Sequence, residues 1–80
     1  MRIAAFQGPL HGGDVAENLE RLDRAAAEAA AGGARLLICP EMFLTGYAIG
    51  PEVVAALAEP VSGPSAARAG EIAAARGLAL

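Results

Sequence analysis

Glu41 is the residue whose type and position point most directly to chemistry. It follows an unbroken apolar run, Leu36-Leu37-Ile38-Cys39, and Pro40, and it precedes Met42-Phe43-Leu44. A carboxylate held among apolar groups is costly when unpaired, so it tends to be paired, protonated or functional. At the carboxyl end of a strand, where open α/β sheets place their ligand crevices, such a group suits general acid–base work near neutral pH. The plain alternative is a solvated glutamate at a strand-to-loop turn.

The other reactive side chains offer less. Cys39 is the single thiol and stands close enough to Glu41 in an extended segment to share its face. It also belongs to the apolar run, where cysteine behaves as a small hydrophobe, and a structural role is expected for it. Tyr47 either lines a pocket near Glu41 or packs the loop with its hydroxyl at the surface. His11 has no second ligand at metal-binding spacing and reads as a solvated loop residue. Ser62 and Ser65 flank a helix start and read as capping residues rather than nucleophiles. No phosphate loop and no dinucleotide fingerprint occurs in the sequence.

These residues need elements to hold them. Ile3 to Phe6, bounded by Gly8-Pro9, predicts a first strand buried on both faces. Asp14 reads as a helix N-cap with Glu17 in the capping-box position. Val15, Leu19, Leu22, Ala26 and Ala29 then mark one face of a helix, with Glu17–Arg21 and Glu20–Arg24 as ion pairs on the outer face. Gly32-Gly33 ends it. Leu36 to Cys39 predicts a second strand, parallel to the first and covered on both sides, stopped by Pro40. A loop follows with a turn at Thr45-Gly46-Tyr47, then a short helix over Glu52 to Ala58. A last helix opens at Pro64, runs to about Arg76 and is capped by Gly77. Leu78-Ala79-Leu80 stands where the next strand should start, which makes the chain read as the N-terminal piece of a larger protein.

Composition sets bounds on partners and compartment. The chain has 80 residues, of which 55% are hydrophobic and 4% aromatic, so large core-filling side chains are scarce. Six basic residues against nine acidic give a net charge of −3, which argues against nucleic acid or an anionic membrane surface as a partner. All six basic residues are arginine. One cysteine allows no internal disulfide, and a cytoplasmic location is expected. No apolar run approaches the length of a membrane span.

At this point the residues resemble a known family. Pro40-Glu41-Met42-Phe43-Leu44-Thr45-Gly46-Tyr47, after Leu36-Leu37-Ile38, is similar to the first signature of the carbon–nitrogen hydrolase (nitrilase) superfamily. Arg2-Ile3-Ala4-Ala5-Phe6-Gln7 resembles that family's first strand. Asn18-Leu19 and the alanine-rich helix resemble its first helix, and Gly63-Pro64 through Arg76-Gly77-Leu78 the stretch leading to its third strand. The resemblance implies that residues 1–80 are the N-terminal part of one α/β domain. They would form the β-α-β-α portion of an α-β-β-α sandwich, incomplete in this segment. It also implies a Glu-Lys-Cys triad in which a cysteine thiolate attacks the carbonyl or nitrile carbon. The glutamate moves protons and the lysine stabilises the oxyanion.

Only the glutamate carries over, onto Glu41, with Tyr47 as a substrate-pocket residue. A chain without lysine supplies no oxyanion partner, so the segment alone is expected to be inactive. The implied substrate is a small amide, N-carbamoyl compound or nitrile, cleaved without metal or organic cofactor. The full-length protein is implied to be a homo-oligomer. The rival expectation is a non-catalytic βαβ module that binds a partner protein through its sheet edge or alanine-rich helix.

Overall fold

The computed structural model describes residues 1–9 and 12–80; His11 lies outside them. Five elements follow in order: β1 (Ile3–Ala5), α1 (Val15–Ala31), β2 (Leu36–Ile38), α2 (Pro51–Leu57) and α3 (Pro64–Arg76). The strands are parallel, with Ile3 opposite Leu36, Ala4 opposite Leu37 and Ala5 opposite Ile38. On the other edge of β2, a parallel bridge joins Leu36 to Ala79. There the Leu37 amide donates to the Ala79 carbonyl and the Ala79 amide to the Arg35 carbonyl, both at 2.9 Å. The apolar triplet at the end thus contributes one bridging residue beside β2, and among the described residues the sheet itself has two strands.

Helix α1 forms for the reasons its sequence suggests. The Asp14 carboxylate accepts from the Glu17 amide at 3.0 Å, satisfying one of the donors a helix start leaves open. Gly33, at φ 86°, turns the chain out of the helix in a conformation that a side chain would strain. Its inner stripe of Leu22, Ala25 and Ala26 packs with Leu37, Phe43, Ile72 and Leu78 into one buried cluster. Small alanines let α1 pack closely on α3, and Ile72 of α3 is fully buried within the cluster. The Arg76 guanidinium donates to the Asp23 carboxylate at 2.9 Å, and Arg68 lies 3.9 Å from the same group, tying α3 to α1.

Three expectations are corrected. The strands are not buried on both faces. Ala4 and Leu37 face the helices, whereas Ile3 and Ile38 are 53% and 52% exposed on the opposite side. Side chains alternate along a strand, and α1 and α3 serve only one face. The ion pairs of α1 also differ. Glu17 pairs with Arg24 at 3.5 Å, because Arg21 turns inward and lays its guanidinium over two aromatic rings. Finally, Ser62 and Ser65 do not cap α3. Glu59 does so, accepting the Ser65 amide at 2.8 Å and the Ser65 hydroxyl as well. Those two hydrogen bonds hold the Glu59 carboxyl below its usual range.

Candidate functional site

The segment after β2 places Glu41. Residues 41–45 form consecutive turns, since Pro40 has no amide to continue the ladder. Met42 adopts φ 52°, in the left-handed region, which costs a non-glycine residue on the order of 1 kcal/mol or more and persists only where surrounding contacts impose it. Those contacts are visible. The Gly46 amide donates to the Met42 carbonyl at 2.8 Å, and the Gly13 amide donates to the Thr45 carbonyl at 2.8 Å. From within α1, the Asn18 side-chain amide donates to the Leu44 carbonyl at 2.9 Å. Gly46, at φ 93°, packs so closely on Gly12 that a Cβ would come within 2.7 Å of the Gly12 Cα. The turn bearing Glu41 is thus strapped to the start of α1 from several directions.

An aromatic base supports the same turn. Phe43 is 5% exposed and meets Phe6, at the end of β1, edge to face with centroids 5.1 Å apart. The Arg21 guanidinium carbon sits 5.5 Å from the Phe6 ring centre and 5.9 Å from that of Phe43. A cation over ring faces is attracted by their quadrupoles. The arginine's buried Nη1 has no hydrogen-bond partner among the described residues.

The sequence-predicted residues take different places. Glu41 stands at the carboxyl end of β2, as the strand pattern requires, but it is exposed to water. The apolar cleft expected around it is absent among the described residues. The sheet face beside it is open at Ile38, and the turn is packed from the opposite side, on α1 and, through Phe43, on the core. Tyr47 is 65% exposed. A cavity of about 320 Å³ lies between β1 and α1, lined by Ala4, Phe6, Gln7 and Glu28 among others. Another of about 280 Å³ lies between the turn and the α2–α3 connection, lined by Leu44, Thr45, Leu57 and Glu59 among others. Neither includes Glu41 or Tyr47.

Cys39 is half-buried against the core cluster, and burial pushes its thiol above the ordinary range. A protonated thiol is a poor nucleophile, in keeping with the structural role expected for it. Among the described residues, no group of three His, Cys, Asp or Glu gathers at metal-binding spacing, and no helix is long and apolar enough to cross a membrane.

Asn18 is the residue that motif reading did not single out for the site. It is fully buried and polar. Its signal was its position, between Val15 and Leu22 on the inward stripe of α1, where an amide is costly unless it finds a partner.

Residues 2–80 match the family model described as carbon-nitrogen hydrolase. A curated protein of Pseudomonas protegens, described as "Hydrolase in pqqF 5'region", is 54% identical over 80 residues, covering 100% of this chain and 27% of that relative. The chain thus spans about a quarter of the length of the relative it matches. No solved structure matches it.

Proposed function

The chain belongs to the carbon–nitrogen hydrolase family, and from that premise we propose that the whole protein hydrolyses a non-peptide carbon–nitrogen bond with Glu41 as its general base and acid. The substrate class is a small amide, N-carbamoyl compound or nitrile. Glu41 accepts the proton of a cysteine thiol supplied elsewhere in the protein, and the thiolate attacks the substrate carbon. The glutamate then passes a proton to the departing ammonia or amine, and afterwards takes one from the water that frees the product. A lysine, also supplied elsewhere, stabilises the charge on the developing oxyanion. Cys39, half-buried with its thiol held protonated, packs the core and takes no part.

The observation that carries this reading is the position of Glu41. It stands at the carboxyl end of β2, on a turn held by the Asn18 and Gly13 hydrogen bonds, inside a segment that matches the family from residue 2 to residue 80. In this reading the open face of Ile3, Ala5 and Ile38 receives the second sheet of an α-β-β-α sandwich. Elements beyond these residues then close a cleft over Glu41 and Tyr47, with Tyr47 lining the substrate pocket. The protein is cytoplasmic and a homo-oligomer. The rival partner-binding reading is weakened at α1, whose apolar stripe is already taken up by the core.

The test is Glu41→Gln in the whole protein, followed by ammonia release from short aliphatic amides and nitriles. General acid–base catalysis contributes roughly 10²–10⁴-fold, so turnover should fall by at least that much while circular dichroism and melting temperature stay unchanged. Near-normal turnover would exclude the role.

A further inference from the structure

Glu41 is exposed to water, so its direction must come from the turn. That turn contains a residue, Met42, at φ 52°, which relaxes to an ordinary conformation unless it is held. Local bonding does not suffice. The Gly46-to-Met42 hydrogen bond closes the turn upon itself but does not fix it relative to the sheet. Two bonds do. One, from the Gly13 amide to the Thr45 carbonyl, comes from a loop exposed at Gly12 and Gly13. The other comes from the Asn18 side chain, fully buried in the first turn of α1, to the Leu44 carbonyl 26 residues away at 2.9 Å. This bond is partly shielded from water, which makes it worth more than one at the surface, and losing one partner leaves the other orphaned.

We propose that Asn18 is a positioning residue for Glu41: its buried amide grips the Leu44 carbonyl and so fixes, against α1, the turn that aims the carboxylate. This rests on Glu41 being the general base. A merely structural asparagine would stabilise α1 against the loop and nothing more. A positioning one sets the distance between the carboxylate and the thiol it deprotonates, and a displacement of about 1 Å at a reacting group can cost about 100-fold in rate.

The whole protein is tested with Asn18→Asp, which keeps the shape but replaces the donor nitrogen with an oxygen facing the Leu44 carbonyl. A second variant, Gly46→Ala, displaces the same turn through contact with Gly12 and changes no side chain of α1. Ammonia release from the best of the short amides or nitriles should show kcat down about 100-fold, with KM changed less than about twofold. Per folded molecule, counted by near-ultraviolet circular dichroism, this loss should persist. Amide hydrogen exchange at Gly13 and Gly46 should accelerate in Asn18→Asp. Normal kcat per folded molecule in either variant, beside an inactive Glu41→Gln protein, overturns the positioning role alone. An active Glu41→Gln protein overturns the base reading and this inference with it.

Discussion

Leu37 and Ile38 are neighbours in the same short strand and meet opposite fates. Leu37 is 3% exposed, beneath α1 and α3, while Ile38 is 52% exposed on the far side of the sheet. Their partners in β1 repeat the contrast, with Ala4 turned inward and Ile3 and Ala5 outward. Hydrophobic character does not distinguish the two faces; cover does. One face has found its helices, and the other is an apolar surface open to water.

The sharpest way to break this comparison is to truncate both residues. Leu37→Ala leaves a cavity in a filled cluster and should cost about 2–5 kcal/mol. That loss is of the order of a small domain's whole stability. Ile38→Ala removes little from contact and should change stability by no more than about 0.5 kcal/mol. Chemical denaturation of the 80-residue chain, at a concentration low enough to keep it dispersed, reads both. Equal costs would mean that the open face is covered after all.

Such cover has a ready source in a second copy of the chain. Exposed contiguous apolar surface and a free strand edge drive association. The isolated chain should therefore sediment as a mixture whose mean mass rises with concentration. Ile38→Lys should return it toward monomer, since burying an unpaired ammonium opposes stacking of two open faces. A sharp, concentration-independent melting transition of a monomer would show that the half-covered sheet is self-sufficient.

The same contrast explains what could be read from the sequence. Helix α1 was legible to its cap because Asp14, the apolar stripe and Gly33 act locally. The parallel pairing of β1 and β2, and the pairing of Ala79 beside β2, were legible because apolar runs separated by a helix leave few alternatives. Burial of the strands was not, since Leu36-Leu37-Ile38 says only that both sides are apolar. It does not say which cover lies within these residues. For the same reason the exposure of Glu41 was invisible, although its place at the strand end was not. Arg21 was misread because charge suggested the surface, whereas a long stem lets a guanidinium settle over Phe6 and Phe43. Glu59 was missed as a cap because it reaches α3 from outside any capping spacing.

The smallest effect belongs to the seam that holds the covered face together at its rim. Asp23 on α1 accepts from Arg76 at 2.9 Å and lies 3.9 Å from Arg68, both on α3. The Arg76 hydrogen bond, ahead of the charges of Arg76 and Arg68, holds the Asp23 carboxyl below its ordinary value. A carboxyl whose folded-state value is depressed contributes stability that is fully present above the unfolded value, about 3.9 for aspartate. It is lost as pH falls through the folded value, because the unfolded chain binds the proton first. Asp23→Asn should therefore lower the melting temperature slightly at neutral pH and flatten its decline in acid. The Glu59–Ser65 cap, whose carboxyl is also held low, should leave a remaining slope. Exposed ion pairs are weak and screened by salt, so adding about 1 M sodium chloride should shrink the difference between the two proteins at pH 7. A difference that persists in high salt and is the same at pH 3 as at pH 7 would mean that Asp23 acts through packing rather than charge, and that the covered face needs no electrostatic seam.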